Sequence, residues 1–420
     1  MIRRYLQDPL LESLKHFPVV LLTGARQVGK STLVQGLIGP SWDARYVTFD
    51  DRATLDAALL DPDGFVAGQP PPVIIDEVQR APEVMRVIKR VVDRHRKPGQ
   101  YLLTGSANLQ TLSTVSETLA GRVVLHALYP FCWSEFLEKP PTGILKDLFE
   151  IGTARELLKR LPQSAGSNDK GQIIQWILSG GYPPVALMGS DAARAQWFSS
   201  YRQTYLERDL LNIRSIENIP DFNRLLRLVA FRTGGLLNLS ELSRESGLPF
   251  TTLRRYMNLL EVTYQTLLLQ PYFANLGKRL IKTPKIYFND TGMACHLRGA
   301  NDWLGLENQG NAGAMVETWV ASELLKLMPI SDHRLRLYFW RTQGGQEVDF
   351  LIERGSKLVA VEVKWSHRVD QSMITHLKRC AEDLKGRLCF SVILYAGREI
   401  VPFAPQIVAI PFSVFFGTEK

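Results

Sequence analysis

The sequence predicts an α/β fold built around a parallel sheet, and two features of its N-terminal part carry that prediction. Up to residue 130, short apolar runs alternate with stretches of helical periodicity, as is typical of strands separated by helices in a parallel sheet. A glycine-rich turn joins the first apolar run to the helical stretch that follows it. The predicted strands cover residues 18–23, 45–49, 72–75, 100–104 and 122–128.

Composition sets broad limits on the class of protein. The chain has 420 residues, of which 45% are hydrophobic and 22% are charged, so it is long enough for several domains and too apolar for global disorder. Its net charge of +8 suits a polyanionic partner such as nucleic acid without requiring one. The four cysteines are scattered, so neither a disulfide framework nor a zinc ribbon fits. No apolar run is long enough to span a bilayer, and we expect a cytoplasmic protein with no membrane partner.

Changes of pattern along the chain predict four parts. Residues 1–145 form the α/β core, and residues 146–215 are helical and form a lid or linker. Residues 216–300 contain a helix-turn-helix pattern, and residues 301–420 form a second α/β domain. The polar stretch from Ser164 to Gly171 is typical of a mobile connection.

The turn after the first predicted strand matches a phosphate-binding loop. Gly24 to Ser31 fits the pattern G-x-x-x-x-G-K-[ST], in which glycines let backbone N–H groups surround phosphate oxygens. Lys30 would hold the β and γ phosphates of ATP, and the Ser31 hydroxyl would ligate magnesium. The expected nucleotide-binding residues are Gly24, Gln27, Gly29, Lys30, Ser31 and Thr32.

Two carboxylates follow the third predicted strand. Asp76 and Glu77 come directly after the apolar run Pro72–Ile75, at the sheet edge where open α/β folds bind ligands. We expect Asp76 to complete the magnesium shell and Glu77 to orient the attacking water. Two acids that merely cap the next helix are the alternative.

Two further segments resemble parts of AAA-type ATPases. Residues 100–108 resemble the sensor strand of that class, in which a polar side chain contacts the attacking water or the γ phosphate; the resemblance favours Ser106, with Thr104 and Asn108 as rivals. Arg122 precedes the fifth predicted strand, where an arginine of AAA ATPases often reaches the nucleotide of a neighbouring subunit. That similarity implies a ring or another homo-oligomer. Turn capping and an ordinary surface arginine are the alternatives.

Over nearly its whole length the chain resembles prokaryotic AAA-type ATPases whose C-terminal half is catalogued as a domain of unknown function. The resemblance implies an AAA-type P-loop ATPase core with a helical lid. The matching motifs are Gly24–Thr32, Asp76–Arg80, Thr104–Ser106, Leu119–Arg122, Gly180–Pro183 and the C-terminal triplets Glu347–Asp349 and Glu362–Lys364.

Residues 236–290 resemble a winged helix-turn-helix, because a short strand, two helices and a two-stranded wing follow one another. In such folds the second helix enters the major groove of DNA, and here it carries Arg254 and Arg255 near its start. The wing loop adds Lys278, Arg279 and Lys282. We therefore predict salt-sensitive DNA binding by these basic residues. A winged helix used only for subunit packing is the alternative.

A hairpin near the C-terminus places two acids opposite each other. A Gly355-Ser356 turn that pairs Arg354 with Lys357 places Asp349 opposite Glu362. Like charges in such a pair have Cβ atoms ~5 Å apart and repel, so a bridging divalent cation is the simplest compensation.

The same hairpin resembles the core of PD-(D/E)xK nucleases. That resemblance implies magnesium held by Asp349 and Glu362, Lys364 beside the scissile phosphate, and Glu317 on a preceding helix as the fourth member of the site. The triplet Glu-Val-Asp lacks the usual leading proline, and many fused domains of this fold have lost activity, so DNA cleavage is left open. A surface hairpin with a Glu347–Lys364 salt bridge is the alternative.

Two functions of different classes follow from these features. The first is an ATPase that couples ATP turnover to the binding and remodelling of DNA, with a C-terminal domain in which nuclease activity is possible. The second is a nucleotide-gated regulatory or defence switch that binds DNA or protein without acting as a motor. A C-terminal domain that binds only a protein partner is a third possibility.

Overall fold

A computed structural model describes residues 2–106, 119–161, 169–207, 218–273, 283–384 and 386–417. The chain divides into two compact units. The first contains residues 3–130 together with 259–265, and the second contains residues 131–258 and 266–420.

The first unit is built on a five-stranded parallel sheet, as the sequence predicts. The spatial order of its strands is β2-β3-β4-β1-β5. The strands are β1 (Val19–Gly24), β2 (Arg45–Thr48), β3 (Val73–Asp76), β4 (Tyr101–Ser106) and β5 (Val123–Leu128). The helices of this unit are α1 (Gln7–Leu14), α2 (Lys30–Gln35), α3 (Arg52–Leu60), α4 (Pro62–Ala67) and α5 (Pro82–Arg94), with a 3-10 turn at Val78–Arg80.

Burial explains why the three central strands are continuous apolar runs. Every residue of β1, β3 and β4 is buried, whereas the edge strands β2 and β5 are partly exposed. Gly24, the last residue of β1, is in register with Ser106, the last residue of β4. The carboxyl ends of these strands therefore meet at one edge of the sheet, and the phosphate-loop sequence and both acids lie there.

The second unit begins with a series of helices. They are α6 (Trp133–Phe136), α7 (Ile144–Glu150), α8 (Ala154–Leu158), α9 (Asp169–Ser179), α10 (Pro183–Ala186), α11 (Asp191–Tyr201), a π-helical turn at Arg202–Glu207, α12 (Ile219–Phe231), α13 (Leu239–Ser246) and α14 (Phe250–Val262). The last residues of α14 belong to the first unit. A two-stranded antiparallel sheet follows, formed by β6 (Thr266–Leu269) and β7 (Lys285–Phe288).

The C-terminal part of the second unit contains a six-stranded mixed sheet with the order β12-β13-β11-β10-β9-β8. Its strands are β8 (Arg336–Arg341), β9 (Glu347–Arg354), β10 (Lys357–Lys364), β11 (Leu388–Tyr395), β12 (Val401–Ala404) and β13 (Ile407–Pro411). The accompanying helices are α15 (Thr291–Arg298), α16 (Trp303–Asn308), α17 (Ala312–Ser331), α18 (Thr375–Asp383) and α19 (Phe412–Gly417), with a 3-10 turn at Gln371–Ile374. This part of the chain is therefore a mixture of helices and strands, as the predicted α/β character of residues 301–420 requires.

The predicted hairpin register is also confirmed. Arg354 pairs with Lys357, and the ladder continues to Phe350 opposite Val361. The predicted mobile connection is wrong in its last part: residues 169–171 form the first turn of α9, whereas residues 162–168 lie outside the described part of the chain.

Candidate nucleotide-binding site and carboxylate cluster

The loop after β1 has the backbone that its glycines predict. Gly24 has φ +151°, and a Cβ atom there would lie 2.2 Å from the carbonyl oxygen of Leu128, so no side chain fits. Gln27 and Gly29 have φ values of 63° and 92°, in the left-handed region. The loop therefore turns sharply between β1 and the start of α2, where Lys30 and Ser31 lie.

Lys30 is buried, and its ammonium lies within the loop. Its Nζ atom donates to the carbonyl oxygens of Gly24 and Ala25 at 3.2 and 2.9 Å. Burial lowers the pKa of Lys30, while Glu77 and Asp76 act in the opposite direction. The lysine and the acid pair that the sequence predicted to act together are therefore electrostatic neighbours.

Asp76, at the end of β3, is held by two hydroxyl groups. Tyr46 donates to Asp76 Oδ2 at 2.7 Å, and the Thr104 hydroxyl donates to the other carboxylate oxygen. Thr104 also accepts a hydrogen bond from the backbone N–H of Glu77 at 3.3 Å. Thr104, a rival for the sensor position, thus contacts both acid positions.

Ser106 is linked to Glu77 through Gln79. The Gln79 side-chain amide donates to the Glu77 carboxylate and, at 3.0 Å, to Ser106 Oγ. Glu77 has φ 59°, a left-handed conformation that turns the chain away from β3. The structure therefore brings the predicted sensor serine to the acid pair, with Gln79 as the intermediary. The other rival, Asn108, lies outside the described residues.

The N-terminal segment holds the phosphate loop in place through Arg4. The Arg4 guanidinium, only 8% exposed, donates to the carbonyl oxygens of Val28 at 2.9 Å and of Tyr129 at 2.7 Å. Tyr264, from the segment after α14, packs edge-on against the Tyr129 ring and shares a 2.7 Å hydrogen bond with Thr23. The loop is thereby fixed to parts of the first unit that are distant in sequence.

Arg122 does not approach the phosphate loop of its own chain. It precedes β5, at the amino-terminal edge of the sheet, and its guanidinium forms two hydrogen bonds with the Asp93 carboxylate. A role as an arginine finger is therefore compatible only with action on the nucleotide of another subunit.

A magnesium ion bound with ATP fits the residues near the loop. The Asp76 carboxylate is fixed by two hydroxyl donors and retains acceptor capacity, and Ser31 lies in the first turn of α2. Carboxylate and hydroxyl oxygens are donors that Mg²⁺ prefers.

The basic residues predicted to bind DNA are only partly described. Arg254 is exposed on α14, and its guanidinium lies 5.8 Å from the centre of the Phe250 ring. Arg255 is partly buried and lies over the Tyr256 ring. Lys278, Arg279 and Lys282 lie outside the described residues.

The C-terminal acids form a cluster with two lysines. Asp349 Oδ2 accepts the backbone N–H of Val363 at 2.7 Å, and Lys364 Nζ lies 2.7 Å from Glu362 Oε1. Glu317 Oε1, on α17, lies 2.7 Å from Lys285 Nζ, which also contacts Glu347. The Glu347–Lys364 salt bridge of the alternative interpretation is absent from the described contacts, in which Glu347 pairs with Lys285 and Lys364 pairs with Glu362.

Burial and mutual repulsion perturb the titration of these groups. Burial and the nearby Asp349 raise the pKa of Glu317 to about 7, and burial and Glu362 raise that of Asp349 to about 7. Burial alone would lower the pKa of Lys285, but Glu317, Asp349 and Glu347 together raise it. The ammonium form of Lys285 is therefore strongly favoured at neutral pH.

A divalent metal in this cluster does not fit the donor set as well as the sequence predicted. Within the described ranges, no group of three or more His, Cys, Asp and Glu side chains is arranged to hold a metal ion. Glu317, predicted as the fourth member of the site, gives one oxygen to both Lys285 and the Tyr287 hydroxyl. Magnesium at Asp349 and Glu362 stays a prediction, and no step is derived through it.

The sequence prediction missed several residues that contact these sites. Arg4, Tyr264 and Lys285 act through contacts with residues distant in the chain, for which no spacing rule exists. Gln79 belongs to the quoted motif Asp76–Arg80, and its position two residues after Glu77 was the one available signal.

Models of three protein families match successive parts of the chain. A family model described as an AAA domain matches residues 16–137. Two models described as domains of unknown function, DUF8612 and DUF4143, match residues 170–304 and 312–415.

The first of these matches identifies an AAA domain in the part of the chain that contains the phosphate loop and the parallel sheet. The chain belongs to one family with two mycobacterial relatives, uncharacterized protein Rv2008c of Mycobacterium tuberculosis and uncharacterized protein Mb2031c of Mycobacterium bovis. Each is 34% identical over 411 residues, covering 97% of this chain and 83% of the relative.

Solved structures offer weaker likenesses. A point variant of RuvB from Thermotoga maritima is 18% identical, with 62% of this chain and 86% of that chain covered and a TM-score of 0.27. Protein VC1899 from Vibrio cholerae is 10% identical, with 90% and 88% covered and a TM-score of 0.17. Both scores are too low to support a conclusion about this chain. Separately, none of the described helices is long and apolar enough to cross a membrane.

Proposed function

We propose that this protein hydrolyses ATP and couples the hydrolysis to the binding and remodelling of DNA. One observation supports ATP hydrolysis: Lys30, Asp76 and Glu77 lie together at one edge of the parallel sheet. A buried ammonium beside two carboxylates at the end of a glycine loop is suited to a triphosphate with its metal and an attacking water.

Each residue at this edge has a distinct role in the proposal. Lys30 turns from the loop carbonyls to the β and γ phosphates, and backbone N–H groups of the loop surround the phosphate oxygens. Ser31 and Asp76 hold the magnesium ion, which neutralises charge on the phosphates when bound. Glu77 orients the water, and Thr104 and Gln79 fix the orientation of the acid pair.

We propose DNA as the partner because the chain is positively charged and DNA is a polyanion. The chain carries a net charge of +8, and Arg254 is exposed near the start of α14, the second helix of the predicted helix-turn-helix. A helix in that position places its first turns in the major groove in winged-helix proteins. Basic side chains there would displace counterions from the phosphates, so binding should weaken as salt rises.

The ATPase rate with and without DNA tests this proposal. Wild-type chain should hydrolyse ATP faster with duplex or branched DNA, and Lys30→Ala and Glu77→Gln should abolish hydrolysis under all conditions. Arg254→Ala should reduce the stimulation by DNA and leave the basal rate unchanged. Arg379→Ala removes an exposed arginine from α18 and is the matched control. A basal rate that no form of DNA changes would count against the DNA assignment.

One contact favours a second function, a nucleotide-gated switch. The Gln79 amide donates to the Glu77 carboxylate, and a carboxylate engaged in this way is a weaker acceptor for the proton of a water molecule. A switch would bind ATP tightly, hydrolyse it slowly and respond to nucleotide by a change of assembly. Tight ATP binding with slow turnover that DNA does not accelerate would favour the switch.

A further inference from the structure

The carboxylate cluster of the second unit contains a buried lysine that the predicted nuclease-like site does not use. Lys285 is the first residue of β7, and its side chain is only 4% exposed. It is 32 residues from Glu317 in the sequence, and it reaches the cluster from the two-stranded sheet.

The Lys285 ammonium bridges two acids from different elements. Its Nζ atom lies 2.7 Å from Glu317 Oε1 on α17 and 2.5 Å from Glu347 Oε1 on β9. The Tyr287 hydroxyl, from the same strand as Lys285, donates to the same Glu317 oxygen at 2.5 Å. These distances are those of short, charge-assisted hydrogen bonds, so the ammonium is directly coordinated by the cluster.

The backbone fixes Lys285 in this position. It pairs with Leu269 in the β6–β7 ladder and forms a further bridge with Leu236. Its ammonium also lies 5.6 Å from the centre of the Phe339 ring, which adds a cation–π contact. A side chain held by strand pairing, two carboxylates and an aromatic ring is part of the fold and not a loosely placed surface lysine.

The charged groups around Lys285 determine whether the cluster can also hold a divalent cation. Four carboxylates lie there (Glu317, Glu347, Asp349 and Glu362), and they are faced by Lys285, Lys364 and Arg341. With every acid ionised the formal charge of the cluster would be −1, and protonation of any of the four acids makes it less negative. A divalent cation would reverse that sign and would lie close to two ammonium groups that repel it.

We propose that Lys285 is the resident cation of this cluster and occupies the role that a divalent metal has in a two-carboxylate nuclease site. The cluster then joins β7 to α17 and β9 through a tethered ammonium, and cleavage of DNA through a metal at Asp349 and Glu362 is not its function. Glu362 Oε2 is buried without a hydrogen-bond partner among the described residues, so a metal ion that entered the cluster would compete for this oxygen. This proposal does not depend on ATP hydrolysis.

Manganese binding to the full chain without nucleotide tests the proposal. Wild type and Asp349→Asn should take up the same amount of Mn²⁺ in calorimetry, because the cluster holds none. Lys285→Met should gain one Mn²⁺ site, and the double variant Lys285→Met/Asp349→Asn should lose it again. Lys285→Arg keeps the positive charge and should gain no site. The phosphate loop is unchanged in all four variants, so differences among them report on the cluster.

Stability supplies a second readout. Lys285→Met should melt at a lower temperature than wild type, and Mn²⁺ should raise that temperature in the variant and not in wild type. A wild-type chain that binds Mn²⁺ through an Asp349-dependent site would overturn the proposal. So would a folded Lys285→Met chain that gains no site. If Lys285→Met does not fold, Mn²⁺ uptake by wild type and by Asp349→Asn still tests the proposal: equal uptake supports it, and lower uptake by Asp349→Asn overturns it.

Discussion

Gln79 contacts both Glu77 and Ser106, and its effect on catalysis distinguishes the two proposed functions. In a motor it positions Glu77 for the attacking water, so Gln79→Leu should lower kcat by about tenfold and leave the KM for ATP nearly unchanged. Steady-state kinetics would measure both constants. Arg86→Ala, which removes an exposed partner of Glu83, is the control and should have no effect. A higher kcat in Gln79→Leu would mean that Gln79 restrains Glu77, as a switch requires.

His126 should make the stability of the first unit depend on pH. Its Nε2 atom lies 2.8 Å from Ser13 Oγ, and burial lowers the pKa of its imidazole below the ordinary value of 6.5. The unfolded chain therefore takes up a proton before the folded chain as the pH falls, and the free energy of unfolding should decrease below pH 6.5.

Denaturant unfolding of wild type and His126→Gln across this pH range measures the effect. The variant has no imidazole to protonate, so its stability should decline less steeply with acid. His95→Gln, in which an exposed histidine at the end of α5 is replaced, is the matched control and should behave as wild type. Equal slopes for wild type and His126→Gln would show that His126 does not carry the dependence.

At the level of elements, the N-terminal segment should stabilise the phosphate loop through Arg4. Arg4→Met removes two charge-assisted hydrogen bonds to the carbonyl oxygens of Val28 and Tyr129. The free energy of unfolding should fall by about 2–3 kcal/mol, and ATP should bind more weakly because Val28 belongs to the loop. Denaturant unfolding and calorimetry measure the two effects. Arg3→Met, which removes an exposed pair with Asp8, should change neither by more than ~0.5 kcal/mol.

Sequence periodicity was enough to predict the elements that carry the ATPase site. The apolar runs located all five strands because parallel strands are buried on both faces, and the two-residue turn at Gly355-Ser356 fixed the hairpin register. Sequence periodicity did not reveal that Glu317 is paired with Lys285, because that contact depends on how α17 packs against β7. The position of Glu317 on a helix does not indicate which cation its carboxylate contacts.

At the scale of the whole molecule, Arg122 tests whether hydrolysis requires assembly. Arg122 is distant from its own phosphate loop, so as a finger it can act only on a neighbour, and Arg122→Ala should lower kcat by roughly 10³-fold while ATP still binds. Mixing inactive Arg122→Ala chains with inactive Lys30→Ala chains should restore activity. In mixed assemblies, the intact Arg122 of one chain then faces the intact phosphate loop of the other.

Asp93→Asn is the control for this mixing experiment. It removes the ion-pair partner of Arg122 and keeps the arginine, so the ATPase rate should be retained. Full activity of Arg122→Ala alone, or a mixture that stays as inactive as its components, would be incompatible with a finger supplied by a neighbouring chain.

The division of the whole chain into functions was predictable only in part. The phosphate loop and acid pair predict an AAA-type core, and the family match over residues 16–137 agrees. The predicted four-part division and the roles of the lid and winged helix stay predictions. The sequence patterns of the lid and winged helix predict only the order of helices and strands. Recognition of DNA depends on surface charge and shape, which the order of elements does not specify.

Calorimetry of ATP binding to the purified, folded chain tests the central claim most directly. The account predicts one magnesium-dependent ATP site per wild-type chain and its loss in Lys30→Ala, with Lys15→Ala, an exposed lysine, as the matched control that keeps the site. Absence of magnesium-dependent ATP uptake by the folded wild-type chain would contradict the account.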